Sequence, residues 1–292
     1  MDQTKSSHLR GMIWMVLSGL CFVGVYIGVK LIGTRLPAAE SAFLRYALGL
    51  VFVLPALPNL LNAQITNADW RLFVGRGVVH TIAVTLWFFA MARLPIAEVA
   101  AMGYMTPVFV TLAAVLILGE RLALRRALAI GVAILGVALI LRPGFRDVQL
   151  AHLAMLATSV CFGLSYVAVK RLTASHSPTL IVALLSITVT VGLFPLALLD
   201  WVSPTWRELG WLLWVAAAAT AGHFSMTYAF KHAPITVTQP VTFLQLVWSV
   251  TVGVLMFGEM IDVFVILGGT VIVAAVIYIT FREAQLKRQT SG

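Results

Sequence analysis

The sequence predicts an all-α polytopic membrane protein whose ten transmembrane helices form two inverted repeats of five. Of its 292 residues, 61% are hydrophobic and 11% are charged, whereas soluble domains carry roughly 25% charged residues. Ten mostly apolar stretches have about the length that a helix needs to cross a bilayer, which is ~20 residues. A similar apolar phrase also occurs twice, about half the chain apart. These three observations predict the fold class.

The predicted spans follow one another through short connections that are rich in turn-forming residues, so the chain is expected to be one membrane body with no separate soluble domain. In chain order the spans are Met12–Ile32, Ala38–Leu57, Trp70–Ala92, Ile96–Leu118, Leu124–Leu141, Leu150–Arg171, Thr179–Leu199, Glu208–Phe230, Ile235–Phe257 and Val263–Phe281.

The distribution of Lys and Arg predicts how the chain is oriented. Twelve of them lie near the membrane face that carries the N-terminus (the N-terminal face), and six lie near the opposite face (the far face). Cytoplasmic loops collect Lys and Arg, and an even number of spans returns the chain to its starting side. We therefore predict a protein of the cytoplasmic (inner) membrane, surrounded by the lipid bilayer, with cytoplasmic N- and C-termini.

The composition also excludes several classes of protein. The net charge of +9 would suggest nucleic acid in a soluble protein, but these charges lie mostly at span ends, so no nucleic-acid partner is expected. No signal peptide is expected, because the first apolar run has the length of a full span. Cys21 and Cys161 lie inside apolar runs and are expected to be buried thiols. No cofactor and no metal site is predicted.

The apolar phrase that occurs twice is part of a longer internal repeat. "CFVGVYIGVK" (Cys21–Lys30) and "CFGLSYVAVK" (Cys161–Lys170) share five of ten positions, and Leu94–Glu120 aligns without gaps to Ala233–Glu259 at an offset of 139. Two matches at nearly the same offset predict a duplicated five-span unit, with one repeat at 1–144 and the other at 145–292. Because five is odd, the second unit must cross the membrane in the opposite orientation. Inverted repeats are typical of transporters that work by alternating access.

Three motifs mark the repeated unit: "TPVF...LGERL" (Thr106–Leu122), the weaker copy that ends "FGE" (Phe257–Glu259), and "GGTVIVAAV" (Gly268–Val276). At these residues the chain resembles the drug/metabolite transporter superfamily, specifically its EamA-type ten-span branch. Arg45 in "LRYALG" resembles the Arg that the family carries in its second span. Within the branch, the chain resembles the YddG-type exporters of aromatic and other amino acids.

The resemblance implies a secondary-active or facilitative transporter that exports aromatic or neutral amino acids and related small metabolites. Two alternatives stay open within the class, namely export of organic cations or drugs and export of nucleobase-like metabolites. An alternative from another class is an intramembrane enzyme with Ser165 and His223 as its catalytic pair. The sequence contains no P-loop motif that would bind the phosphates of ATP. The small-molecule substrate would therefore move passively or with a coupling ion.

Histidine and arginine residues inside the spans are candidates for binding. His80 and His223 lie near mid-span, where imidazole could relay a proton or bind a carboxylate; the alternative is a neutral histidine that hydrogen-bonds a neighbouring helix. The proton is thus the candidate coupling ion. Arg45 and Arg76 lie a turn or two inside their spans, where they either snorkel to the interface or bind a substrate carboxylate.

Polar residues at helical spacing in the third, eighth and ninth spans should face a central cavity or another helix, because lipid disfavours them. Aromatic residues at similar depth could stack on a solute. We expect Tyr26 and Tyr166, which match under the repeat, to flank the central pathway or to pack closely between helices. The candidate cavity residues are Tyr26, His80, Trp87, Tyr104, Tyr166, His223, Thr227, Thr242, Gln245 and Trp248.

Proline and charged residues near the span ends complete the set of expectations. Pro107 and Pro240 interrupt their helices, either as gating breaks that free carbonyls or as tolerated kinks. The second repeat has Leu246 where the first has Pro107, so the two halves should differ in flexibility. Glu120 and Glu259 are expected to cap the next helix. Lys30 and Lys170 are expected to favour the C-terminal dipole of their own helices.

Overall fold

The computed structural model describes residues 2–56, 58, 60, 62–118, 124–172, 175–233 and 235–290. In this part of the chain, the 3-10 helix Leu50–Ala56 continues α2, and the only pairing of β type is an isolated bridge between Pro143 and Arg146. The α-helices are α1 (Asp2–Ile32), α2 (Ala38–Gly49), α3 (Asn67–Met91), α4 (Ile96–Gly103), α5 (Thr106–Leu118), α6 (Leu124–Leu141), α7 (Leu150–Leu172), α8 (Pro178–Leu198), α9 (Trp206–His232), α10 (Ile235–Phe257) and α11 (Val263–Thr290).

These helices confirm the predicted class, an all-α polytopic membrane protein. Eight helical segments in the described residues are long and apolar enough to cross a membrane, and Val241–Phe257 is a shorter apolar helix. The second predicted span, Ala38–Leu57, is wrong as a continuous α-helix, because α2 ends at Gly49 and a 3-10 helix follows. Glycine has poor helix propensity, and Pro55 cannot donate a hydrogen bond to the carbonyl four residues before it.

The fourth predicted span, Ile96–Leu118, is also not one helix. α4 ends at Gly103 and α5 begins at Thr106, with a turn at Tyr104 and Met105 between them. Pro107 lies in the first turn of α5, where its missing N–H is not needed. The equivalent Leu246 lies inside the unbroken α10. The two halves therefore differ in backbone conformation at the position where the sequence predicts a difference, which is Pro107 in the first half and Leu246 in the second.

Helices from the two halves pack against each other in matched pairs. α1 packs along α9, and its repeat counterpart α7 packs along α3; α1 also contacts α10, as α7 contacts α5. α2 packs on α8 and α6 packs on α11, so each of these pairs joins one helix to its own counterpart. This pairing is what an inverted duplication would produce. The repeat boundary at 144/145 stays a prediction.

The N-termini of α3 and α9 carry the same local motif on opposite faces of the membrane. Asp69 in the first turn of α3 lies with Oδ2 3.0 Å from His176 Nε2, and Glu208, 139 residues later in the first turn of α9, accepts hydrogen bonds from Arg35. Each acidic residue thus binds the loop between the first two helices of the other half. Each donates its backbone N–H to a threonine N-cap, Thr66 or Thr205.

α6 and α11 cross where both lack a side chain. A Cβ placed on Gly136 would lie 2.7 Å from Ile272 Cγ1 and 2.8 Å from the carbonyl oxygen of Gly268. A Cβ on Gly268 would lie 2.4 Å from the carbonyl oxygen of Gly136. Small residues permit this close approach in membrane helices, and backbone atoms at the contact leave a new methyl group no room.

We therefore expect Gly136→Ala to destabilise the protein, because the helices must separate to admit the methyl group. Overpacking of this kind costs about 1–3 kcal/mol. The measurement is thermal unfolding in detergent micelles. Gly131→Ala on the same helix is the control, since nothing lies within 4 Å of its Cβ position. Equal melting temperatures for the two variants would contradict the packing described.

Candidate functional site

The inward faces of α1 and α7 carry the two tyrosines that are predicted to flank a central pathway (the passage). Ile13 of α1 and Leu153 of α7 are exposed apolar side chains on the bilayer-facing sides of their helices. Tyr26 and Tyr166 each follow thirteen residues later, which at about 100° per residue places them about 140° around the helix from the lipid. Both tyrosines therefore point towards the interior, at equivalent places in the two repeats.

The two tyrosines differ in their surroundings. Tyr166, near the N-terminal face, is 42% exposed although it points inward, so it borders an opening inside the bundle. Tyr26, near the far face, is half-buried: its hydroxyl accepts a hydrogen bond from Gln245 Nε2 at 3.0 Å, and its ring lies 5.8 Å from that of Trp87. The interior is therefore more accessible beside Tyr166 than beside Tyr26.

Glu259 joins three helices at the far face. Its Oε1 lies 3.0 Å from Lys30 Nζ at the end of α1, and its Oε2 accepts the N–H of Ile96, the first residue of α4, at 2.8 Å. The expectation that Glu259 caps the next helix in the chain is therefore wrong, because the helix that it caps belongs to the other half. Lys30 likewise pairs with this carboxylate as well as ending its helix.

More ion pairs surround Glu259 at the far face. Arg146 donates two hydrogen bonds to Glu98, at 2.9 and 2.8 Å, and His152 Nε2 lies 2.8 Å from the same carboxylate. The hydrogen bond to Glu98 raises the pKa of the Arg146 guanidinium. Arg142 pairs with Asp262 beside them. Together with the Arg35–Glu208 pair, these contacts join the two halves at the far face.

Tyr104 adds a contact between the halves below this network. Its hydroxyl donates to the carbonyl oxygen of Thr242 at 2.6 Å, and its ring stacks on Phe243 with centroids 6.1 Å apart. Tyr104 lies in the turn between α4 and α5, so the helix break orients it towards α10. Three of the predicted cavity residues, Tyr104, Thr242 and Gln245, therefore line the junction between α10 and the first half.

A chain of polar side chains crosses α2, α3 and α7 deep in the bundle. The Arg45 guanidinium lies 4.0 Å above the Tyr46 ring, and the Tyr46 hydroxyl lies 3.1 Å from His80 Nε2. His80 Nδ1 lies 3.1 Å from Ser165 Oγ, which accepts Arg76 Nε at 3.4 Å. His80 thus bridges two neighbouring helices, which is the alternative of a histidine that hydrogen-bonds a neighbouring helix. Its role as a proton relay stays a prediction.

Arg76 does not snorkel to the interface. Its side chain is buried, with 7% of the residue exposed, and Nη1 donates to the carbonyl oxygen of Ile181 at 3.2 Å. Arg45 is half-buried. Of the partners in this chain, sequence reasoning missed Tyr46 and considered Ser165 only as a nucleophile. The sequence did place Tyr46 next to Arg45, and Ser165 next to Tyr166, but no pattern shows that they meet His80.

The remaining predicted site residues lie around this centre. The ring of His223 lies 5.2 Å from that of Phe22, and Trp248 packs on α1 at Gly19, where a Cβ would lie 3.1 Å from Trp248 Cζ3. Thr238 and Ser249, at the ends of the polar face of α10, are fully buried, and Ser249 Oγ donates to the carbonyl oxygen of Gln245 at 2.7 Å. Four predictions fall outside the described residues and side chains: Glu120, Lys170, Thr227 and Pro240.

Known proteins are similar to this chain in sequence and in fold. A family profile described as "EamA-like transporter family" matches residues 9–142 and 149–281. A pseudopaline exporter of Pseudomonas aeruginosa is 29% identical, over 91% of this chain and 94% of its own. A riboflavin transporter of Rhizobium johnstonii is 29% identical over 99% and 98%, and an S-adenosylmethionine uptake transporter of Rickettsia prowazekii is 23% identical over 97% and 96%.

A solved crystal structure has the same fold, with a TM-score of 0.61 and 19% identity over 94% of this chain and 98% of that one. The relatives named above are transporters of metabolites and not enzymes, which removes the alternative of a Ser165–His223 enzyme. They support the family resemblance found in the sequence. They do not single out the YddG-type subgroup, because their names give other substrates.

The unequal exposure of Tyr166 and Tyr26 predicts a difference in the rate of thiol labelling. In a background with both native cysteines replaced by serine, Tyr166→Cys should react with a membrane-impermeant maleimide added at the N-terminal face about tenfold faster than Tyr26→Cys, since thiol reactivity follows exposure. Rates are read by mass spectrometry on inverted membrane vesicles. Labelling in denaturant, where the two thiols should react equally, is the control. Equal rates in the folded protein would contradict the asymmetry.

Proposed function

Because the chain belongs to the EamA-like transporter family, we propose that it moves aromatic or neutral amino acids and related small metabolites across the cytoplasmic membrane by alternating access. The broader statement, that the protein is a metabolite transporter, follows from the family and the relatives. The substrate, the export direction and the secondary-active or facilitative mode are the proposal. Protons are the proposed coupling ion, with His80 and His223 as candidate carriers.

The observation that carries the proposal is the one-sided access to equivalent places in the two repeats. Tyr166 is open to the interior on the side of the N-terminal face, while Tyr26 is covered by Gln245 and Trp87. A channel would be open to both faces at once. A transporter instead exposes its site to one face at a time, and inverted repeats supply the second conformation by exchanging the roles of the two halves.

The lining of the passage supports a substrate with an aromatic or apolar body. Phe162 and Tyr166 are stacked with centroids 6.5 Å apart, and Tyr26 and Trp87 form a second aromatic surface. Such rings offer apolar contact area with a polar edge. They would also stack on organic cations, so export of cationic drugs or nucleobase-like metabolites is the second candidate. The relatives include one exporter and one uptake transporter, and export is proposed from the family resemblance.

Opening to the far face requires the contacts around Glu259 to break. This carboxylate holds α1 through Lys30 and α4 through the N–H of Ile96, and both side chains of the ion pair are largely buried. In the proposed cycle, loss of these contacts lets α1 and α10 move away from α4 and uncovers Tyr26. The ion pair therefore favours the conformation that faces the N-terminal side.

We expect Glu259→Ala to increase labelling of Tyr26→Cys from the far face, because the variant removes both the ion pair and the cap on α4. A contact worth roughly 1 kcal/mol changes a two-state population about fivefold. The measurement is maleimide labelling in right-side-out vesicles. Arg207→Gln, at an exposed position of the same face, is the control and should leave labelling unchanged. Unchanged labelling in Glu259→Ala would exclude Glu259 as part of the closure.

The function itself is tested by uptake of labelled amino acids into proteoliposomes, each with and without a pH gradient. Saturable transport of aromatic or neutral amino acids is expected, with protein-free liposomes as the control. Stimulation by the gradient would establish proton coupling, and its absence would favour facilitated transport. If folded protein transports no amino acid, the substrate assignment is wrong, and cations and nucleobase-like solutes become the next panel.

A further inference from the structure

Two guanidinium groups lie deep in the membrane body and have no acidic neighbour among the described residues. Arg76 is nine residues into α3 and Arg45 is seven residues into α2, which at 1.5 Å per residue is about 14 Å and about 10 Å along the helix axes. In the part of the chain that the structure describes, these two groups contact a hydroxyl, a carbonyl oxygen and an aromatic ring. No carboxylate is among them.

The arginines of the far face show a different arrangement. Arg35 is paired with Glu208, Arg142 with Asp262 and Arg146 with Glu98. These pairs lie near water, where an unpaired charge would be tolerated most easily. The two arginines inside the bundle, where an ion without a counter-ion is most costly, have only neutral partners among the described residues, an arrangement otherwise seen at the exposed Arg93 of the far face. A counter-ion that arrives from solution would resolve this imbalance.

We propose that Arg45 and Arg76 bind the acidic group of the transported solute, so that the site accepts organic anions and zwitterions and rejects cations. This inference rests on the proposed function, namely transport of a small metabolite through the central passage. It decides between the two candidate substrate classes that the aromatic lining leaves open, since two positive charges at the site repel a cation whatever its ring system.

The geometry leaves donors free for such a group. A guanidinium has five N–H donors in a fork that matches a carboxylate; Arg76 spends Nε on Ser165 and one Nη1 hydrogen on Ile181. The Arg45 guanidinium is held over the face of Tyr46, so its N–H edge stays available. The Tyr46–His80–Ser165 chain connects the two guanidinium groups and fixes them relative to each other.

The aromatic surface lies beside this site, on the open side of the passage. Phe162 has its ring 5.0 Å from that of His80 and stacks on Tyr166, which is next to Ser165 in the chain and borders the opening. A solute that enters from the N-terminal face would therefore meet aromatic rings and guanidinium groups within one site. The expected ligand has an acidic group close to a planar or apolar body.

Four indole compounds that differ in charge test the proposal in proteoliposomes of neutral lipid: L-tryptophan (zwitterion), indole-3-acetate (anion), indole-3-acetamide (neutral) and tryptamine (cation). The carboxylates should be transported at least about tenfold better than the other two, the effect expected from a charge-assisted hydrogen bond. Arg76→Gln and Arg45→Gln should each bring this ratio towards one. Arg71→Gln, at an exposed position of the same helix as Arg76, is the matched control and should keep it.

Binding is measured in parallel as the shift in melting temperature of the detergent-purified protein with the same four compounds, and Arg76→Lys serves if Arg76→Gln does not fold. Carboxylate-selective stabilisation that is lost in the arginine variants supports the site even if no compound is transported, in which case the proposed function fails alone. Transport without preference for carboxylates overturns the inference and leaves the proposed function standing. The inference is also overturned if the arginine variants change only the response to anionic phospholipid and leave the selectivity among the four indole compounds unchanged.

Discussion

The absence of water in the hydrocarbon core is the constraint on which the rest of this structure depends. Each backbone amide must be paired within the protein, so the described chain crosses the membrane as helices. Each charge must either reach an interface or find a partner. At the far face the requirement is met by carboxylates from one half that bind cations and helix N-termini of the other, as Glu259 does with Lys30 and Ile96. The same contacts that satisfy these groups also join the two halves of the protein.

The duplicated sequence produces a symmetric pairing of helices but an asymmetric conformation. α1 packs on α9 as α7 packs on α3, yet Tyr26 is covered and its counterpart Tyr166 is exposed. The difference between Pro107 and Leu246 contributes, since the first half turns at Tyr104 where the second continues as one helix. A pair of halves with unequal local rigidity has no reason to rest at the symmetric midpoint. The two matched places are therefore not equally exposed, and the proposed alternating access would start from this difference.

Sequence reasoning predicted the elements that depend on local composition. The helical class and the approximate span positions follow from apolar length, whereas the boundaries of the repeat and the place of Tyr26 and Tyr166 beside a central pathway stay predictions. The contacts of Arg76 could not be predicted from the sequence. Its partner Ser165 lies 89 residues away on a helix of the other half, and helical periodicity carries no information about such partners. The cap that Glu259 provides to α4 was missed for the same reason. The prediction of a continuous second span is wrong for a different reason: its apolar length extends past Gly49 and Pro55, two residue types that disfavour an α-helix.

The charge of the interior bears on how transport is coupled to loading. A transporter that closes around its site removes water from whatever the site contains, and an ion without a counter-ion then costs several kcal/mol. An empty site with two guanidinium groups would resist closure, whereas a site that holds an anionic group would present near-neutral contents to the hydrocarbon. The difference between these two states is large enough to make the loaded protein change conformation far more readily than the empty one. Substrate charge would then be needed both for recognition and for the conformational change that carries the substrate across the membrane. Proteins of this fold could change their substrate by changing which buried charges lack a counter-ion within the protein.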